Sequence, residues 1–239
     1  MTFLIYIEGN IGSGKSTFAK NLETKYLKNF LKQNLDAKII QEPVEEWVKT
    51  FDSDGKNILE KFYENIDRWS FTFQMNSFIS RIKKIQDELE SVDSKEYCSD
   101  KEYPMRKALF VERSVFTDKN VFAKNCFESN KMTKMEYDIY CNWNKWLSDK
   151  FELAPSAYIY LRCDPKINNE RIIKRARNEE ESIPIEYLTQ IHNKHEDWMY
   201  NEMKKDVPVL TIDATEDFTK EEKMEELYKK VYNFIQSLK

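Results

Sequence analysis

An α/β fold, with a five-stranded parallel sheet between two layers of helices, is predicted by three features of the 239-residue chain. Five short apolar runs, at residues 3–7, 37–40, 108–111, 157–161 and 209–212, have the length and composition of buried strands. Long stretches with helical spacing separate them. Each run is followed by polar residues suited to chemistry, and in such folds ligands gather at the carboxyl ends of the strands.

The first run, Phe3-Leu4-Ile5-Tyr6-Ile7, leads through Glu8 into Gly9-Asn10-Ile11-Gly12-Ser13-Gly14-Lys15-Ser16-Thr17, and Phe18-Ala19-Lys20-Asn21-Leu22 continues in helical spacing. Residues 37–40 end in Gln41-Glu42-Pro43. Met75, Phe78, Ile79, Ile82, Ile85 and Leu89 then recur at three- and four-residue intervals, the signature of a long amphipathic helix. The charged stretch 91–107, with Pro104, reads as a surface loop. Beyond the third run, Met135, Ile139, Trp143, Trp146 and Leu147 mark another helix. The tail 219–239 keeps Met224, Leu227, Val231 and Ile235 at helical spacing and reads as a terminal helix.

Composition narrows the class. The chain has the size of one domain, expected to span 1–239. A formal net charge of −4 and a pI near 5.5 argue against a broad nucleic-acid face but leave room for local cations around a small anion. Cys98, Cys126, Cys141 and Cys163 form no C-x-x-C pair, which fits reduced thiols better than disulfides or a metal site. No stretch approaches the ~20 apolar residues of a membrane span. With the first strand starting almost at Met1 and no signal or transit peptide visible, a cytoplasmic location is expected.

Three of the four glycines, Gly9, Gly12 and Gly14, fall in a match to G-x-x-x-x-G-K-[ST]. Such a loop turns its backbone N–H groups inward around a phosphate chain, Lys15 reaches the outer phosphates, and Ser16 offers its hydroxyl to Mg²⁺. Its strand and helix flanks give a P-loop NTPase-type three-layer fold. Glu42, at a strand end and fixed by Pro43, could take a proton from a hydroxyl attacking a γ-phosphate, or simply cap or pair. Glu112-Arg113-Ser114 follows the third strand beside the loop. An acid there holds Mg²⁺ through its water shell, and Arg113 could orient an acceptor or stabilise moving charge, with a structural Glu-Arg pair as the alternative. Arg171, Lys174, Arg175 and Arg177 lie at helical offsets and continue into Glu179-Glu180-Glu181-Ser182-Ile183-Pro184, reading as an Arg-rich lid over about 171–184 with Glu180 able to reach an acceptor hydroxyl. Among the aromatics of 62–74, Gln74 is a polar fork able to read a base edge. His192 and His195, near Trp198 and Tyr200, read as helix packing rather than metal ligands.

Together, Ile7 through Thr17, Glu42-Pro43-Val44, Arg68-Trp69-Ser70-Phe71-Thr72-Phe73-Gln74, Glu112-Arg113-Ser114-Val115, Arg175-Ala176-Arg177 and His192-Asn193-Lys194-His195-Glu196 resemble the deoxynucleoside kinases, specifically their deoxycytidine and deoxyguanosine kinase branch. The resemblance runs from about residue 3 to residue 218. It implies ATP-dependent phosphorylation of a 2′-deoxynucleoside 5′-hydroxyl, with Mg²⁺, in nucleotide salvage, by a homodimer. Glu42 is implied as the base, with Arg113, Lys15, Arg175 and Arg177 completing the catalytic set. The donor falls to residues 9–17, Arg171, Arg175 and Glu216-Asp217-Phe218, the last a loop against its adenine. Tyr63 and Glu180 are implied to hold the 3′-hydroxyl, Phe73 to stack on the base and Gln74 to bond it. Trp47, Leu59, Phe62, Ser77, Arg81, Asp118 and Phe122 complete the substrate site, and Ser16 and Glu112 the metal site. Arg81 and Asp118 match the pair that reads purines and cytosine, and Ser77 with Arg175-Ala176-Arg177 leans toward the deoxyguanosine kinase side of the branch. The helices holding Phe78 and Trp146 match the dimer face. Phe62, Phe116 and Lys119-Asn120 depart from the family pattern and bear on base preference.

Two rival readings share some of these residues. A nucleoside monophosphate kinase of the thymidylate kinase type would need cations for an acceptor phosphate, which Glu42 would repel. A catalytically silent nucleotide-binding subunit would not need Lys15, Glu42, Glu112, Arg113, Arg175 and Arg177 together.

Overall fold

A computed structural model describes residues 2–93, 106–180, 183–202 and 206–238. The five expected strands are β1 (Thr2–Glu8), β2 (Leu35–Ile40), β3 (Arg106–Glu112), β4 (Ala157–Arg162) and β5 (Val209–Asp213), each extending the sequence-based run by one to three residues. They form one parallel sheet in the order β2-β3-β1-β4-β5, registered by pairs such as Ile5 with Phe110 and Ile7 with Ile159. Side chains alternate across a strand, so each run feeds two cores. Phe3, Ile5, Ile7, Phe110, Ile159 and Leu161 join one core, and Leu4, Tyr6, Leu109, Val111, Tyr158 and Tyr160 join the other. Burial on both faces explains why the strands read as continuous apolar runs.

The helices are α1 (Lys15–Asn21), α2 (Leu27–Lys32), α3 (Val44–Trp47), α4 (Ile58–Glu64), α5 (Ile66–Asp93), α6 (Val115–Thr117), α7 (Lys124–Glu128), α8 (Lys134–Lys150), α9 (Pro165–Arg175), α10 (Ile185–Glu196) and α11 (Glu221–Ser237). The first core is covered by α1, α2 and α11. There the expected terminal helix buries Met224, Leu227, Val231 and Ile235, and Tyr228 stacks on Tyr26 at 4.6 Å. The second core is covered by α5, α8 and α10, through Phe78, Ile82, Tyr140, Leu188 and Ile191. A third cluster of Trp47, Leu59, Phe62, Phe73, Cys126 and Met132 lies beside the sheet's carboxyl edge.

Two features differ from the sequence reading. The stretch expected to be a loop from residue 91 is helical to Asp93 and already in β3 at Arg106; residues 94–105, with Cys98 and Pro104, lie outside the described residues. Three helical segments, Leu22–Tyr26, Asp118–Ala123 and Asp197–Glu202, are π-wound, which no residue spacing announces. The second of them carries Asp118 into the site described next.

The chain goes from β1 to β2 on one side, then from β3 to β4 across β1. The connections leaving β1 and β3 therefore diverge, opening a crevice at the carboxyl ends of these neighbours.

Candidate active site

The glycine-rich turn fills that crevice. Gly14 caps α1 in a left-handed conformation (φ 92°), and a Cβ there would lie 2.7 Å from the Phe218 ring. At Gly12 (φ 76°) a Cβ would meet the Asn168 carbonyl oxygen at 2.5 Å. Both close approaches require glycine. Asn10 staples the turn: its Oδ1 accepts the Ile11 N–H at 2.8 Å and its Nδ2 donates to the Leu188 carbonyl at 2.8 Å. The first N–H groups of α1 have no intrahelical acceptor, and Gly12, Lys15 and Ser16 at this helix start line the cleft, the arrangement that receives an anion. Lys15 is folded back, its Nζ donating to the Gly9 and Asn10 carbonyls at 3.0 and 2.7 Å. Burial, followed by the nearby Arg113 charge, pushes its ammonium down to about 7, against the pull of Glu42 and Glu112.

At the end of β3, Glu112 accepts the Ser16 hydroxyl at 2.6 Å. These are two hard oxygen donors beside the loop. Among the described residues no three His, Cys, Asp or Glu side chains could hold a metal together, so an ion here would complete its shell with phosphate and water oxygens, as a small hard cation does.

Arg113 takes a left-handed backbone conformation (φ 64°). Its guanidinium lies 4.5 Å from the Phe122 ring centroid, and its Nε donates to Glu42 Oε1 at 3.1 Å. The same carboxylate oxygen accepts from Arg81 at 2.7 Å. Burial alone would raise the Glu42 carboxyl, but Arg113, Arg81 and Lys15 outweigh it and hold it down at about 2. Arg81 is 1% exposed and also donates to Asp118 at 2.8 and 3.2 Å and to the Glu112 carbonyl at 3.0 Å. The pair matched from the sequence to base reading is thus also the brace of Glu42, a role that no local spacing reveals.

The lid residues divide. Arg175 and Arg177 both pair with Glu180, Arg177 at 2.7 Å, and all three line the cleft. Arg171, expected on the same helix face as Arg175, turns away from the cleft: its guanidinium donates to the carbonyls of Ala214, Thr215 and Glu216 at 2.7, 3.1 and 3.2 Å. It anchors the loop after β5, where Glu216 and Asp217 are exposed while Phe218 is buried against Phe18. Glu181 and Ser182 lie outside the described residues.

The cleft between these parts encloses about 510 Å³, the size of a small-molecule site. Its walls include Ile11, Gly12, Lys15, Ser16, Glu42, Trp47, Leu59, Phe62, Tyr63, Phe73, Gln74, Ser77, Glu112, Arg113, Asp118, Phe122, Arg175, Arg177 and Glu180. Phe73 stacks on Phe62 at 4.5 Å. Gln74 is buried, and among the described residues its carboxamide makes no hydrogen bond to protein. Burial, with Glu180 second, raises the Tyr63 phenol and keeps it neutral. Tyr187, which the sequence reading missed, adds to the same wall a buried hydroxyl that has no partner among the described residues. Its place on the apolar face of α10 gave no local signal. His195 is wholly buried, its Nδ1 2.8 Å from the Ile191 carbonyl and its ring stacked on Tyr160, so it packs as expected.

Comparison with known proteins bears on this site. The model of the family described as deoxynucleoside kinase matches residues 5–236. The chain is similar to the deoxycytidine kinase of Mus musculus, 40% identical over 98% of this chain and 91% of that protein. It is also 38% identical to the deoxycytidine kinase of Homo sapiens, with the same coverage. Similarity to the mitochondrial deoxyguanosine kinase of Xenopus laevis is 30% identity over 89% of this chain and 81% of that one.

Proposed function

Because the chain belongs to the deoxynucleoside kinase family, we propose that it transfers the γ-phosphoryl group of ATP to the 5′-hydroxyl of deoxyguanosine, deoxyadenosine or deoxycytidine. The observation that carries this reading is the ionised Glu42, braced by Arg81 and Arg113 and facing the loop of Lys15 across one cleft. A carboxylate at the acceptor end suits a neutral hydroxyl and repels a nucleoside monophosphate. ATP consumption is expected with deoxynucleosides and not with their monophosphates; the opposite pattern would favour the thymidylate kinase type.

In this mechanism the loop N–H groups and Lys15 hold the donor phosphates, while Tyr63 and Glu180 hold the 3′-hydroxyl. Phe73 and Gln74 place the base. The 5′-oxygen attacks the γ-phosphorus, the bond to the β-bridging oxygen breaks, ADP leaves, and Glu42 receives the hydroxyl proton. A carboxylate held near 2 is a weak base, which suits a loose transition state in which the proton moves late. Arg113, Arg175 and Arg177 stabilise the charge on the moving group. Mg²⁺ held by Ser16 and Glu112 would supply neutralisation of the phosphate oxygens.

Base choice is assigned to Arg81 and Asp118, whose fixed donors and acceptor mismatch the O4, N3–H and methyl edge of thymine. Thymidine is expected to be poorer by ~10²-fold or more, since mismatched buried polar groups are costly. Arg81→Met with Asp118→Ala should improve thymidine relative to deoxyadenosine and deoxyguanosine in kcat/KM. Because Arg81 also braces Glu42, kcat falls for every substrate. Parent enzyme that uses thymidine as well as a purine deoxynucleoside would end this assignment.

A homodimer is also part of the proposal. Ile79 of α5 and Met135, Ile139, Trp143 and Trp146 of α8 are 41–74% exposed, an apolar face that association would cover. A monomeric mass by analytical ultracentrifugation at micromolar concentration would remove it. Among the described residues, no helix is long and apolar enough to cross a membrane.

A further inference from the structure

Glu8, the last residue of β1, is wholly buried and takes no part in the mechanism above. Its position explains an irregularity in the chain beside it. β1 and β3 pair up to Ile7 and Glu112, and the Arg113 N–H still reaches the Ile7 carbonyl at 2.9 Å. At Gly9 the β1 backbone then turns away into the loop, and the left-handed turn at Arg113 directs the Ser114 N–H toward β1 where, among the described residues, no backbone carbonyl receives it. The Glu8 side chain supplies the acceptor instead, its Oε1 taking the Ser114 N–H at 2.9 Å.

The residue between those two anchored N–H groups is Arg113, in a left-handed conformation that non-glycine residues keep only where the surroundings over-determine it. From this turn its guanidinium reaches Glu42 Oε1 at 3.1 Å and the Gly9 carbonyl at 3.3 Å. On the far side Ser114 caps α6 by accepting the Thr117 N–H at 3.0 Å, which fixes the chain leaving the turn. Loss of the Glu8 oxygen would orphan a buried N–H and free the turn to relax. Glu8 Oε2 has no hydrogen-bond partner among the described residues, and burial raises the carboxyl, so a neutral group fits the pocket.

We propose that Glu8 is a positioning residue for phosphoryl transfer, locking the backbone turn that aims the Arg113 guanidinium at Glu42. The inference rests on the kinase reading above. It predicts that Glu8→Ala lowers kcat/KM for the deoxynucleoside by about 10²-fold, the cost of a small misplacement near the reacting atoms. Affinity for a non-hydrolysable ATP analogue, measured by calorimetry, stays within about threefold of the parent, since the glycine turn keeps its own anchors. Glu8→Gln, isosteric with the neutral acid, retains activity within about threefold. Glu8→Asp, one methylene short of Ser114, keeps a buried carboxyl and behaves like Glu8→Ala, which preserves the test if the alanine variant does not fold. In an Arg113→Ala background Glu8→Ala adds less than about threefold, because residues acting through one another are not additive. An equal loss in both backgrounds, a loss confined to analogue affinity, or full activity in Glu8→Ala would overturn the proposal. Parent enzyme without transfer to any deoxynucleoside would instead overturn the kinase reading.

Discussion

Glu42→Gln is expected to lower kcat by roughly 10²- to 10⁴-fold while deoxynucleoside binding, measured by calorimetry, persists. The amide oxygen can still accept from Arg81 and Arg113, so the cleft keeps its shape, but it cannot take the hydroxyl proton. A variant within about threefold of the parent kcat would reject Glu42 as the base. The pH dependence has a definite sign. Glu42 titrates lower in the folded protein than its ordinary 4.5, so its ionisation adds stability above that value, and the contribution is lost as pH falls through about 2. Glu42 is therefore already ionised in the free protein at neutral and mildly acidic pH, and a limb in kcat/KM between about pH 5 and 7 belongs to another group.

The second large effect concerns phosphate and metal. Lys15→Ala should cost at least ~10³-fold in kcat with any donor, since it removes the buried amine that, in the kinase reading, leaves the Gly9 and Asn10 carbonyls for the donor phosphates. Lys15 titrates near 7 rather than at its ordinary 10.5, so the folded chain binds fewer protons than the unfolded chain between those values. Its burial penalty is greatest at low pH and fades as pH rises through that window. At about pH 8 a triphosphate restores the charge, and its binding takes up a proton, read by calorimetry in two buffers of different ionisation enthalpy. Lys15→Ala abolishes that uptake; uptake that persists would place the titrating group elsewhere. Glu112→Gln should raise the Mg²⁺ concentration needed for half-maximal rate, because the Ser16 and Glu112 oxygens sit together at 2.6 Å. An unchanged Mg²⁺ titration would make Glu112 structural.

The sequence by itself determined whatever contiguous spacing encodes. Strands buried on both faces appear as short apolar runs, amphipathic helices as periodic residues, and the loop as glycines where a Cβ would strike Asn168 or Phe218. Strand ends followed by Glu42 and by Glu112-Arg113 located the candidate site as well, because a parallel sheet gathers such ends in one crevice. Only the tertiary structure decided which partners those side chains meet. Arg81 binds an acid 37 residues ahead and another 39 behind it. Arg171 leaves its neighbour Arg175 for carbonyls more than 40 residues away, and Glu8 reaches across 106 residues to Ser114. The physical reason is that a hydrogen bond or ion pair is fixed by where elements lie in space. That placement follows from the order β2-β3-β1-β4-β5 and the π-wound turn bearing Asp118, neither of which is written in the spacing of any one segment.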